Sequence, residues 1–160
     1  MTPEQVALIQ SLHAQAYQEL ASQVRPLPGA RELLATLTSG GVPWAIATSG
    51  QWDVAGPVLE TLGVPEGVPI VTRDQVRHAK PAPDLFLTAA EQLGIEIEST
   101  VVGDSVWDLL AARRARALGV GLLSGGYGRA ELETAGAYRV YEDSADLLFH
   151  LDEVGVRGAV

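Results

Sequence analysis

The sequence predicts an α/β fold: a Rossmann-like parallel sheet flanked by helices. Two observations carry that prediction. Short, branched apolar runs alternate with helical apolar patterns along the chain, the mark of βαβ units. The apolar runs also end in small or polar residues, Thr48-Ser49 after one and Gly103-Asp104-Ser105 after another, as strands do at the carboxyl edge of an open α/β sheet.

The elements follow in order. Thr2 is a cap and Pro3 a first helical residue, and Val6, Ile9, Leu12, His13, Ala16 and Leu20 recur at helical spacing. Arg25-Pro26-Leu27-Pro28-Gly29 breaks this helix. A second helix over about 30–37 ends at Ser39-Gly40-Gly41. Residues 43–47 read as a buried strand ending at Thr48-Ser49-Gly50, before a helix over about 52–62. A short strand at 68–72 follows. Lys80-Pro81-Ala82-Pro83-Asp84 opens a helix reaching about 93. A strand over 100–103 leads to a helix over 106–118. A strand at 120–123 runs into the turn Ser124-Gly125-Gly126-Tyr127-Gly128. A short helix, a strand near 138–141 and a last helix near 145–151 complete the pattern. Residues 1–24 form one segment, a helix apart from the sheet, and 25–160 the α/β core.

Composition narrows the function. The chain has 160 residues, 47% of them apolar, and no cysteine, so disulfides and thiolate chemistry are excluded. No apolar run reaches the ~20 residues that span a bilayer, and no signal peptide is read at the N-terminus. A cytoplasmic protein is expected. The formal charge of −9 argues against nucleic-acid and anionic-membrane partners.

Three strand ends carry polar chemistry: Thr48 with Ser49, then Lys80, then Asp104 with Asp108. Each also has a plain structural reading. Thr48 and Ser49 could cap the next helix, Lys80 could be a surface lysine, and Asp104 and Asp108 could be a helix cap and a first-turn charge. Together they supply a hydroxyl, an ammonium and a hard-oxygen acidic pair, the parts that hold and neutralise a phosphoryl group with Mg2+.

This order resembles the haloacid dehalogenase-like (HAD) hydrolase superfamily, in particular its phosphoglycolate phosphatase and phosphomutase-like branch. Its second motif is matched by Trp44–Ser49, its third by Lys80–Asp84 and its fourth by Gly103–Asp108. The resemblance covers roughly residues 25–150 and implies the following roles. Thr48 and Lys80 would be catalytic, and with Ser49 they would bind substrate. Asp104 would ligate Mg2+, with Asp108 supporting it. The substrate would be a small phosphorylated metabolite. Residues 1–24 would be the remnant of a helical cap. One motif has no match. The family's first strand ends in Asp-x-Asp, whose first carboxylate is the nucleophile and second the general acid/base; the first Asp of this chain is Asp53. The chain therefore resembles a member lacking its beginning, as a mis-assigned start codon or a truncated gene would produce, and alone it is expected to lack turnover. The alternative is a noncatalytic phosphate- and metal-binding or protein-interaction module. The lost strand would be central. Its neighbours, 43–47 and 100–103, are apolar on both faces, so closure of the gap between them, a homodimer or aggregation is expected.

Of the remaining residues, His78 reads as a loop histidine at the pocket rim, His13 as an interface or surface residue, and His150 as a favourable charge at a helix end. Arg113-Arg114-Ala115-Arg116 reads as an exposed helix face. Ser124–Gly128 is either a plain loop or a ligand-facing turn. Trp44 and Trp52 are read as packing residues, while Trp107 is open to either reading.

Overall fold

A computed structural model describes residues 1–96 and 99–156. The predicted end of the core at 160 lies outside the described residues. Helix α1 (Pro3–Leu20) begins on a reciprocal cap, in which the Thr2 hydroxyl accepts from the Gln5 amide and the Gln5 side chain accepts from the Thr2 amide. Then come α2 (Ala30–Ser39), β1 (Ile46–Ala47), α3 (Trp52–Glu60), β2 (Ile70–Val71), α4 (Asp84–Leu93), β3 (Thr100–Gly103), α5 (Val106–Ala115), β4 (Leu118–Leu122), α6 (Arg129–Ala135), β5 (Ala137–Tyr141) and α7 (Ser144–Phe149). No helix among the described residues is long and apolar enough to cross a membrane.

The strands are parallel, as expected, and they form two separate sheets. In one, β1 pairs with β2, Ile46 opposite Ile70 and Ala47 opposite Val71. In the other, β3, β4 and β5 lie in that order, with Val102 opposite Val120. Four boundaries differ from the sequence reading. β1 and β2 shrink to two residues each, since only Ile46–Ala47 and Ile70–Val71 pair. Helix α5 stops at Ala115, where Arg116 turns left-handed at φ 64°. Strand β4 therefore starts at Leu118, two residues before the expected position.

The core lies on the faces of the larger sheet. Leu109, Leu132, Ala135 and Val140 pack on one side, and Leu33, Val120, Leu122, Tyr141, Leu147 and Leu151 form another cluster. Helix α4 bridges the two sheets: Leu85 and Ala89 pack with Val71, while Phe86 packs with Val101 and Ala111, and Ala47 touches both groups.

The expected closure of the gap within the chain does not occur: no ladder joins β1 to β3 among the described residues. Alternate residues of a parallel strand bond to opposite sides. The Ile46 and Thr48 amides donate to Pro69 and Val71, so the backbone groups of Ala45 and Ala47 face away from β2. Leu118 donates to Ser99, so Thr100 and Val102 face away from β4. Between these two edges lies an apolar cleft of about 570 Å3. The physical reason is that α4 and its loop hold the half-sheets apart from above, and two parallel edges cannot meet without unpacking Phe86 and Leu85.

Exposure records the same opening. Val102 is 42% exposed, and its register partner Val120 is 0% exposed. Val120→Ala is therefore expected to cost about 2 kcal/mol or more, and Val102→Ala about 0.5 kcal/mol or less, as at a surface site. Urea melts of the two variants check this, and equal losses would mean that the cleft closes over Val102 in solution.

Candidate functional site

Lys80 stands in the loop that leads into α4. Its ammonium lies 2.8 Å from the Asp108 Oδ1 and donates to the Ala47 carbonyl at 2.9 Å. It also sits 5.2 Å from the Phe86 ring centroid, a cation–π contact. The Lys80 and Asp108 side chains are only 15% and 9% exposed, so the lysine is no ordinary surface residue. A charge this desolvated needs a partner, and Asp108 supplies it.

Asp108 is placed by the start of α5. Ser105 caps that helix: its hydroxyl accepts from the Asp108 amide, and the Asp108 Oδ2 accepts from the Ser105 amide at 3.1 Å and hydroxyl at 2.7 Å. The cap is thus Ser105, and Asp104 is not one. Gly103 permits this fold-back, because a β-carbon there would collide with the Asp108 side chain. Asp104 then lies beside the Gly125 backbone, where any β-carbon would strike the Asp104 carbonyl and carboxyl carbons. The turn after β4 therefore packs on Asp104.

No side-chain donor reaches the Asp104 carboxylate among the described residues. Its burial, and then the neighbouring Asp108 charge, raise its pKa above the ordinary 3.8; its own backbone and Lys80 oppose the rise less strongly. The carboxyl edge thus holds two carboxylates against one ammonium.

Thr48 sits one residue beyond Ala47, the residue Lys80 grips. Its hydroxyl accepts from the Gly50 amide at 3.1 Å and its amide donates to Val71. Ser49 is exposed beside it. Neither caps α3, whose capping residue is Gln51 without a side-chain bond. So the structure brings Lys80 and Asp108 into contact, puts Asp104 within their electrostatic reach, and ties the Thr48 segment to them through the Ala47 carbonyl.

The other residues fall elsewhere. His78 is exposed and bonds Asp84 through its ring Nδ1 and its amide, both at 3.1 Å. His13 is exposed on α1 and stacks on Tyr17. His150 caps α7, 2.9 Å from the Asp146 carbonyl. The arginine run is exposed, but Arg114 has a function the sequence did not reveal: it donates to the Pro81 carbonyl at 2.7 Å and so ties α5 to the Lys80 loop. Trp44 donates to the Thr38 hydroxyl and lines the cleft. Trp52, expected to pack, is 49% exposed at the first turn of α3, with its ring lying over Gly56 of the same helix.

The donor set fits a divalent cation as a half-site. Mg2+ takes one or two carboxylates and leaves the remaining positions to water and phosphate oxygens. Asp104 offers an uncommitted hard-oxygen carboxylate, and its raised pKa marks a charge in need of a counter-ion. Both Asp108 oxygens already have partners. No cluster of three or more candidate ligands occurs among the described residues.

Comparison with known proteins places the fold. The family model "haloacid dehalogenase-like hydrolase" matches residues 2–116. A hydrolase structure from Pseudomonas syringae is 54% identical, with a TM-score of 0.92 over 96% of this chain and 72% of its own. A HAD family hydrolase from Deinococcus radiodurans R1, solved with bound phosphate and sodium, is 32% identical, with a TM-score of 0.80 over 97% of this chain and 69% of its own. Phosphoglycolate phosphatase of Escherichia coli K12 is 33% identical over 91% of this chain, which spans 59% of that protein. Hexitol phosphatase A of the same strain is 40% identical over 49% of the chain, which spans 37% of it. The fold is that of a Rossmann-like hydrolase core. The chain belongs to the haloacid dehalogenase-like hydrolases, on their phosphoglycolate phosphatase-like side, and it spans about a third to three fifths of the curated relatives named here.

The raised pKa of Asp104 has a consequence for stability. A carboxyl whose folded pKa exceeds its unfolded value favours folding only while protonated, and that favour is lost as pH rises through the folded value. At neutral pH the ionised Asp104 therefore opposes folding. Asp104→Asn is expected to raise the urea midpoint at pH 7, and the gain should fade as pH falls towards the unperturbed 3.8. A midpoint that falls at pH 7 would contradict the assignment.

Proposed function

We propose that this chain carries the phosphate- and metal-binding half of a Mg2+-dependent phosphohydrolase acting on a small phosphorylated metabolite. The observation that supports this most is the Lys80 ammonium, buried between Asp108 and the Ala47 carbonyl at the carboxyl edge, with the uncompensated Asp104 beside it. Bound Mg2+ would supply Lewis-acid neutralisation of phosphoryl charge. The chain's own residues would do the rest. Lys80 would attract and orient the phosphoryl oxygens as a fixed point charge. The Thr48 hydroxyl and the Ser49 amide would donate to them. Asp104 would hold the cation, while Asp108, braced by Ser105, keeps Lys80 aimed. Helix α1 is read as part of a cap over this edge, and the working protein as cytoplasmic.

Among the described residues, the two carboxylates at this edge are Asp104 and Asp108, read as serving the metal and the lysine, which leaves none there as nucleophile. Removing a nucleophile and its acid/base partner as a unit removes most of an enzymatic rate. The purified chain with Mg2+ is therefore expected to hydrolyse p-nitrophenyl phosphate no faster than background. Mg2+ with inorganic phosphate should still raise its melting temperature, and Asp104→Ala should remove that rise. A clear Mg2+-dependent rate that Asp104→Ala abolishes would contradict the expected lack of turnover. An unchanged melting temperature would contradict the half-site.

A further inference from the structure

Strands β1 and β2 pair over two residues each, yet the hydrogen bonds between their chains run on past the strands. The Thr48 amide donates to the Val71 carbonyl at 2.9 Å, and the Arg73 amide donates to the Gly50 carbonyl at 3.0 Å. The chain after β2 then coils into a short helical turn, Arg73–Gln75. The next donor, the Trp52 amide, is met by a side chain instead: Asp74 Oδ2 accepts from it at 2.7 Å. Trp52 is the first residue of α3, and the opening amides of a helix have no partner inside it. The capping residue Gln51 bonds none of them through its side chain. The cap therefore comes from 22 residues away, as a carboxylate at a helix N-terminus, where negative charge is favoured. The same oxygen accepts from the Thr72 hydroxyl at 3.3 Å, and Thr72 is 1% exposed, so the carboxylate is held by a buried anchor.

Between these ties lies Thr48–Gly50. The Thr48 hydroxyl accepts from the Gly50 amide at 3.1 Å, which leaves its own proton to donate. Gly50 is bonded through its amide to Thr48 and through its carbonyl to Arg73, and two residues on the chain is fixed again at Trp52. We infer that Asp74 is a positioning residue for the phosphoryl-binding turn Thr48–Gly50: by capping α3 from the neighbouring loop, it sets where the Thr48 hydroxyl and the Ser49 amide point. The inference rests on the phosphohydrolase reading, which assigns those two donors to phosphoryl oxygens; Asp74 acts through them. Without the Asp74 acceptor, the Trp52 amide would turn to water and the turn before α3 would lose its far anchor. Donors held in a fixed frame bind an anion better than donors that must be ordered as it binds.

The test compares two uncharged replacements in the full chain. Both Asp74 bonds fall on one oxygen, Oδ2, so Asp74→Asn keeps an acceptor there and Asp74→Ala does not. Each variant loses the same negative charge, and that loss alone would strengthen anion binding in both. Inorganic phosphate is titrated calorimetrically at saturating Mg2+, well below each melting temperature, so that only folded chain is read. Asp74→Ala is expected to bind phosphate at least about tenfold more weakly than the parent, and Asp74→Asn no more weakly than the parent. In proton–nitrogen correlation spectra of the free chains, Asp74→Ala should displace the amides of Ser49 and Gly50 along with that of Trp52, while Asp74→Asn leaves Ser49 and Gly50 near their parent positions. Ser49 and Gly50 amides that stay in place in Asp74→Ala while Trp52 moves would overturn the inference. If the parent binds phosphate and the two variants bind it equally, the inference alone is overturned, and Asp74 is a cap that only stabilises α3. If the parent binds no phosphate with Mg2+, the functional reading is overturned and the inference with it.

Discussion

The contact between Lys80 and its two partners is the point on which the rest of the structure depends. One partner, the Ala47 carbonyl, belongs to the small sheet; the other, Asp108, begins the helix that follows the first strand of the large sheet. A single buried ammonium therefore ties two sheets that share no ladder. Its attraction is strengthened by the low exposure of both side chains, and the same low exposure makes either partner costly to leave alone. Around it the supports are layered. Phe86 packs under the lysine, Arg114 holds its loop, and Ser105 fixes the carboxylate.

The arrangement has a cost that the chain carries openly. Two strands of interior composition keep one edge each unpaired, and Val102 meets solvent where an aliphatic residue would otherwise be buried. Sheets usually block such edges with charge, proline or a bulge; here the Lys80 ammonium covers the Ala47 carbonyl on the β1 edge. The large sheet with α5, α6 and α7 holds much of the buried core, so the fold does not depend on a continuous sheet. The proposed site gathers residues from both sides of this break: the end of β1, the loop before α4 and the start of α5 meet at Lys80.

Much of this was legible from the residues. The alternation of strand and helix patterns, the parallel sheet, and the polar strand ends at Thr48 and Asp104 follow from local pattern and turn chemistry; Lys80, expected at a strand end, stands instead in the loop before α4, nine residues past Val71. The partnership of Lys80 with Asp108 was not, because it joins segments far apart in sequence and both residues had sufficient local explanations. Ser124–Gly128 reads as either a plain loop or a ligand-facing turn, and nothing in it says that β4 will bring Gly125 against Asp104. The fate of the two apolar edges was also beyond local reading. Composition shows that Val101 and Val102 suit an interior strand, but it cannot show that α4 will hold their neighbour away. The end of α5 was misplaced because Arg116 adopts a left-handed conformation that favours glycine, with no glycine to signal it.

The central claim is that the chain folds as two half-sheets held apart across an open cleft. Amide hydrogen exchange tests it most directly. The Ala47 and Val102 amides face the cleft and should exchange at least about a thousandfold faster than that of Val120, which sits in the middle strand of the large sheet. Protection of Ala47 and Val102 equal to that of Val120 would show that the edges are paired in solution, and would contradict the account.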